Sequence, residues 1–235
     1  MLHVHRAVSS RLRSLVVAAG FLGALSFASA QAADVYVVHG INGTDLGLTQ
    51  TLPVDVSVDG SCAITDFQFK ETTGPVTLAT GSHSFEVKLS DGTCTGALAI
   101  SGRFDFAVAE KAVIVAHLDG NGVAKLSKFT VNSSTLAVDA IRLSVLHLAA
   151  APAVNVDVRD TVKKKNKTSI KDLENGQQTY ATELDAATFN VKIKAATGNA
   201  TVLSVNDVPL AGNVVVIAVG SLANDTLDLI AVTIA

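Results

Sequence analysis

Apolar and polar residues alternate along most of the chain after residue 33. Val54-Asp55-Val56-Ser57-Val58, Phe85-Glu86-Val87-Lys88-Leu89 and Phe189-Asn190-Val191-Lys192-Ile193 each place an apolar side chain at every second position. A period of two with one apolar face predicts half-buried β-strands. Turn signals separate the runs at Asp59-Gly60, Thr80-Gly81, Asp91-Gly92, Asp119-Gly120-Asn121-Gly122, Asn175-Gly176 and Gly198-Asn199. Short strands between regular turns predict an all-β antiparallel sandwich or barrel. Two runs, Ala112 to Ala116 and Val214 to Val219, are continuously apolar and predict central strands covered on both faces. No stretch sustains a helical stripe, so Ser169 to Glu174 and Glu183 to Thr188 are left as the places for a short helical turn.

The pattern occurs twice. Val37-Val38-His39 followed by Pro53-Val54-Asp55-Val56-Ser57-Val58 is echoed by Val145-Leu146-His147 followed by Pro152-Ala153-Val154-Asn155-Val156-Asp157-Val158. Phe85 to Leu89 returns as Phe189 to Ile193, and the apolar run at Val113 returns near Val215. Two copies of this length predict one sandwich each, over residues 33–137 and 138–235, with the junction in the polar segment Asn132 to Ala140. The first copy has a longer opening loop, Ile41 to Leu52, and both cysteines; the second has the lysine-rich run Lys163 to Lys167.

Ahead of the first copy, Arg6, Arg11 and Arg13 precede an apolar run from Leu15 to Ala28 that ends in small residues. This is the layout of a cleaved signal peptide, with removal expected after Ala32. A retained span needs about 20 apolar residues, and this run is shorter and broken by Gly20, Gly23 and Ser26. No transmembrane segment is expected after cleavage, and the expected location is secreted or periplasmic, with cell-surface association as a variant. Cys62 and Cys94 then lie in an oxidising compartment, where an even count predicts one disulfide. Two thiols without neighbouring ligands are too few for a metal site.

Composition agrees with a chain able to bury a core, at 49% hydrophobic and 17% charged residues. The formal charge is -3, and the leader removes arginines but no acids. A mildly acidic surface excludes nucleic acid as the expected partner, because phosphates require a concentrated basic face.

A strand ending in Val37-Val38-His39, a Pro-containing loop, then Val54-Asp55-Val56-Ser57-Val58-Asp59-Gly60 resembles the opening of the secreted bacterial and archaeal family known as domain of unknown function 4397. The second copy shows Leu146-His147, Pro152 and Val154-Asn155-Val156-Asp157-Val158, and Gly81-Ser82-His83-Ser84-Phe85-Glu86-Val87 is similar to a later hairpin of the family. The resemblance implies an extracytoplasmic immunoglobulin-like β-sandwich, often in tandem, and assigns no reactive group. This chain departs from the pattern in its long first loop and in Arg159-Asp160, where Asp-Gly is expected.

Residues able to carry chemistry are few. His39 and His147 occupy matching strand ends and read as tethers of their opening loops through backbone hydrogen bonds. His83 and His117 read as ordinary strand residues, and there is no Gly-x-Ser-x-Gly elbow or His-Glu-x-x-His motif. Asp119-Gly120-Asn121-Gly122 reads as a tight turn rather than a calcium loop, since Val123 and Lys125 stand where oxygen ligands would be needed. Phe67 with Phe69, and Phe104 with Phe106, are expected to pair on one strand face in the core; Trp is absent, which counts against a sugar-stacking platform.

The expectation is therefore a non-catalytic binding or structural protein of the envelope, without cofactor, whose partner is a protein or another envelope component. A carbohydrate-binding module is the alternative, followed by a hydrolase with a spatially assembled site. The expected contact surface is the loop containing Asn42, Thr44, Asp45, Leu46 and Leu48, because sandwiches place variable loops at their ends.

Overall fold

The structure is a computed structural model that describes residues 31–235 apart from 165, 180, 181 and 186, with the side chains of 166, 167 and 209 also left out of the description. The leader read over residues 1–32 lies almost wholly outside the described residues. Beyond it the alternating runs become strands. In the first half these are β1 Ala32–His39, β2 Val54–Val58, β3 Ser61–Phe67, β4 Thr72–Ala79, β5 Gly81–Leu89, β6 Leu98–Phe106, β7 Lys111–Leu118 and β8 Ala124–Val131. They form two sheets, ordered β4-β1-β7-β8 and β3-β2-β5-β6.

The second half repeats this plan with β9 Ala140–His147, β10 Val154–Asp160, β11 Asn166–Leu173, β12 Gln177–Gln178, β13 Thr182–Asp185, β14 Ala187–Ala195, β15 Thr201–Leu210, β16 Gly212–Val219 and β17 Asp228–Ile234. Its sheets run β12-β9-β16-β17, with β13 also on β9, and β11-β10-β14-β15. Each half pairs its first strand in parallel with its penultimate one, Val37 opposite Ile114 and Val145 opposite Val216. The all-β tandem sandwich is thus observed, in a connectivity where the first two strands of each half belong to opposite sheets. The seven-stranded immunoglobulin order keeps them together.

Three apolar layers hold the sheets. Val35 and Val37 of β1, Ile114 of β7, Val54 and Val56 of β2, and Phe85 of β5 fill the first sandwich. Leu143 and Val145, Val154 and Val156, Phe189 and Val191 fill the second. The third layer joins the halves: Tyr36 and Val38 of β1 with Val113 and Val115 of β7 pack against Leu146, Val215, Ile217 and Val219. That layer explains the continuous apolar runs. Alternate residues of β7 and β16 serve the sandwich, and the residues between them serve the joint, so Val113, Ile114, Val115, Val215 and Ile217 are all fully buried. Each such side chain contributes about 1.5–3 kcal/mol relative to exposure. The result is four stacked sheets.

Two local expectations are corrected. Ser169 to Glu174 contains no helical turn: its first five residues are in β11, and Glu183 to Asp185 continue β13, because cross-strand pairing with β10 and β9 satisfies the backbone. Phe67 and Phe69 do not share a face. β3 ends at Phe67, Lys70 turns with φ 72°, and the rings enter different layers, Phe67 in the first sandwich and Phe69 against the joint. Phe104 and Phe106 both pack in the first sandwich.

Candidate functional site

His39 ends β1 fully buried, and burial holds its pKa below 6.5 against the raising influence of the Leu52 carbonyl. The neutral ring donates from Nε2 to the Leu52 oxygen at 2.8 Å and accepts at Nδ1 from the Ile41 amide at 3.3 Å. Both ends of the opening loop are therefore tied to one side chain. His147, at the matching end of β9, donates from Nε2 to the Pro152 oxygen at 3.0 Å, while its buried Nδ1 has no partner. Burial lowers its pKa also.

The first opening loop is shaped by a short 3-10 helix, Gly43–Leu46. Asn42 is buried, and its Oδ1 accepts from the Thr44 amide at 3.1 Å and the Thr44 hydroxyl at 2.8 Å, capping that helix. Gly43 is required by close approach: a Cβ there would sit 1.8 Å from the Thr49 oxygen. Asp45 reaches the second half, where Thr226 Oγ1 donates to its Oδ1 at 2.7 Å and Asn224 Nδ2 at 3.0 Å. Of the five residues expected to meet a partner, Asn42, Thr44 and Asp45 thus serve the loop or the joint. Leu46 and Leu48 remain outside, 41% and 48% exposed.

Other loops converge on the same joint. Asn175 Nδ2 donates to the Leu118 and Ala149 oxygens at 3.1 and 2.7 Å, clamping the halves together, and Lys70 pairs with Asp228 at 2.7 Å. A wide, shallow groove of about 820 Å³ lies here, lined by Asp119, Asn121 and Lys125 of the first half and Pro152, Glu174 and Leu222 of the second. Leu222 is exposed and belongs to the same loop as Asn224 and Thr226. No sequence signal marked this composite surface, because its parts lie up to about 180 residues apart in the chain.

Cys62 and Cys94 form a disulfide. Cys62 lies within β3, and Cys94 in the segment after β5. The bridge holds that segment over Asp55, which is fully buried. Asp55 accepts from the amides of Asp66 at 2.9 Å, Asp91 at 3.1 Å and Cys94 at 3.0 Å, and from Ser90 Oγ at 2.7 Å. Burial pushes its pKa up, and these donors together outweigh it, leaving the carboxyl below its usual range. The arrangement is a structural clasp, with every donor supplied by the protein.

Two histidine pairs arise from strand neighbours that sequence reading left as ordinary. His83 contacts Asp59 Oδ2 at 2.6 Å and the Ala79 oxygen at 2.8 Å; the hydrogen bond it donates to Asp59 raises its pKa. His117 contacts Ser127 Oγ at 2.9 Å through Nε2 and the Leu118 oxygen at 3.0 Å through Nδ1, with burial keeping it neutral. In the Asp119 turn the carboxylate accepts from the amides of Asn121 and Val123 and pairs with Lys125. Among the described residues no group of three or more His, Cys, Asp or Glu side chains is placed to hold a metal ion, and no helix is long and apolar enough to cross a membrane.

A doubled β-sandwich with buried histidine tethers and one disulfide-clasped face is the class of protein these features define. Residues 33–157 match the family model Domain of unknown function (DUF4397), and the chain belongs to that family. No curated protein matches it in sequence. Among solved structures it is similar to the Bacillus anthracis TIE protein, at 9% identity and TM-score 0.25, over 80% of this chain and 33% of that one. It is also similar to the fimbrial anchor protein Mfa2 from Porphyromonas gingivalis, at 8% identity and TM-score 0.21, over 86% and 95% of the two chains. The chain spans about a third of the length of the Bacillus anthracis protein.

Proposed function

We propose that this protein is an exported, non-catalytic binding module of the cell envelope, made of two sandwich domains over residues 33–137 and 138–235, and that its contact surface is the composite joint end. The observation that carries this reading is the convergence of loops from both halves. Asp45 is engaged by Thr226 and Asn224, while Leu46, Leu48 and Leu222 stay exposed on the contacting loops. Apolar residues held outward by a buried polar framework suit a protein or envelope partner better than a dissolved ion. The leader-like amino terminus and the disulfide support an extracytoplasmic location.

Fractionation of cells producing the full chain tests the location, and a photo-crosslinking residue at position 48 tests the surface. The expected result is a shortened chain outside the cytoplasm and one envelope component crosslinked from position 48 but not from position 138, where Val138 is 92% exposed on the junction segment. A full-length cytoplasmic chain, or identical adducts from both positions, would overturn the reading.

The Ser127–His117 contact favours one second reading, ester hydrolysis, because a hydroxyl within hydrogen-bond reach of a neutral imidazole is the first requirement of an acyl-transfer site. Its orienting partner is the Leu118 carbonyl instead of a carboxylate, and His117 is 2% exposed. Turnover of short p-nitrophenyl esters that disappears in Ser127→Ala would establish hydrolysis; the binding reading expects no turnover in either protein.

A further inference from the structure

The outer face of the β11-β10-β14-β15 sheet carries a polar depression of about 450 Å³. Val154, Val156 and Val158 of β10 and Phe189, Val191 and Ile193 of β14 point into the second sandwich. The residues between them, Asp157, Arg159, Asn190, Lys192 and Lys194, line the depression together with Ser204 and Asn206 of β15. Three cations thus stand against one carboxylate. Asp157 accepts from Lys194 at 2.7 Å and from Ser169 Oγ at 2.6 Å, and these contacts, with Lys171 nearby, hold its carboxyl below the usual range. Arg159 donates through Nε and Nη2 to the Lys164 oxygen at 3.2 and 2.9 Å. The tip bearing Lys163 and Lys164 is therefore folded onto the rim, and the sequence continues the basic run at Lys165 and Lys167.

The corresponding face of the first half is built differently on the same register. Asp55 pairs with Lys88 as Asn155 pairs with Lys194, and Ser57 with Glu86 as Asp157 with Lys192. Glu86 thus occupies the place of Lys192, and Asp59 that of Arg159. The disulfide-tied segment from Ser90 to Cys94 covers Asp55 there, whereas a short turn at Gly198 and Asn199 joins β14 to β15. One scaffold presents a face covered at Asp55, with Glu86 and Asp59 exposed beside it, and an open cationic one, within a chain of formal charge -3.

We propose that the open face of the second half docks an acidic polysaccharide, a chain of hydroxyl-rich rings bearing carboxylates. Lys192, Arg159 and the lysine tip supply charge-assisted bonds to carboxylates. Ser204, Asn190 and Asn206 supply the neutral donors and acceptors that ring hydroxyls need; Asn190 Oδ1 is fixed by the Asp207 amide at 3.0 Å, which sets the amide's orientation. The lining residues include no aromatic side chain, so base stacking, the basis of sequence-tolerant single-strand binding, has no platform there. This surface is separate from the joint end and does not depend on a partner binding there.

Titration calorimetry of the purified full chain with polygalacturonate tests the proposal, with neutral dextran, poly-glutamate and single-stranded DNA as comparators. Polygalacturonate is expected to bind and dextran not, with affinity falling as salt passes about 0.1 M, where the screening length is about 10 Å. Lys192→Glu, which introduces the first half's residue at that register, is expected to weaken binding about tenfold. Arg103→Glu on β6 of the first half makes the same charge change and is expected to leave it unaltered. Lys192→Gln provides a second variant should the glutamate lower the melting temperature. Absence of polygalacturonate binding, equal losses in Arg103→Glu, or equally tight poly-glutamate or DNA would overturn it. Because binding is measured in solution, a cytoplasmic location would sink the envelope reading and leave this one standing.

Discussion

The first half ties a segment across one end of its outer sheet and the second leaves the matching end open, although both are woven in the same strand order. In the first, Asp55 accepts four hydrogen bonds beneath a disulfide-tied segment, and His39 uses both ring nitrogens. In the second, Asn155 stands where Asp55 does and accepts from the Asp172 amide at 3.0 Å, and His147 leaves Nδ1 unpaired. The contact that survives in both copies joins the β2 or β10 side chain to the amide of Asp66 or Asp172, residues with φ of 54° and 51°. What the copies share is thus the inward apolar set, the parallel central pair and one clamp on a strand bulge. Those suffice for the fold, and the remaining clasp of the first half is added stability.

The largest expected effect on this comparison is loss of the bridge. Cys62→Ser with Cys94→Ser, spanning 32 residues, is expected to cost about 3–4 kcal/mol by loop-closure entropy, read as a lower denaturation midpoint in urea. Next, Asp55→Ala strands three amides and Asn155→Ala one, so about 3 kcal/mol against about 1 kcal/mol is expected. Equal losses would mean that the clasp contributes nothing special. His39→Ala is expected to cost about 2 kcal/mol and His147→Ala about 1 kcal/mol, since the second ring already carries an unpaired nitrogen; a reversed order would end the tether comparison.

The smallest effect is that of pH. Burial lowers the pKa of His39, His117 and His147 below 6.5, so the unfolded chain binds protons that the folded chain does not. Stability is then full well above pH 6.5 and falls as pH drops through that value. His83, raised by Asp59, works in the opposite sense, but its partner is exposed. His39→Gln and His147→Gln should each flatten the melting-temperature slope around that pH, and an unchanged slope would show that these rings titrate normally when folded.

Much of the fold was legible because period-two alternation reports directly on which face is buried. Val54 to Val58 became β2 without adjustment, and the unbroken run at Val214 announced a strand covered on both sides. What covered it was not legible. The packing of Val115 and Val38 against Ile217 and Val219 joins residues about one hundred to 180 positions apart, and apolar surface carries no label for its partner. Asp45 escaped for the same reason: a polar residue in a long loop looks solvated until Thr226 is placed beside it. Ser127 and His117 meet only because β7 and β8 pair in the register that sets Val115 opposite Ser127. The basic face was half visible, as Lys163 to Lys167, but its larger part comes from Arg159 of β10 and Lys192 and Lys194 of β14, which alternate in sequence with apolar residues such as Val158, Val191 and Ile193.

The shared middle layer also fixes a direction. Four sheets at about 10 Å spacing set the two outer faces roughly 30 Å apart and turn them away from each other, with no hinge in the packed joint between them. A molecule resting on a surface by its cationic side would always hold its clasped, acidic side outward. The duplication has made a two-sided tile, and its two sides can answer to different neighbours.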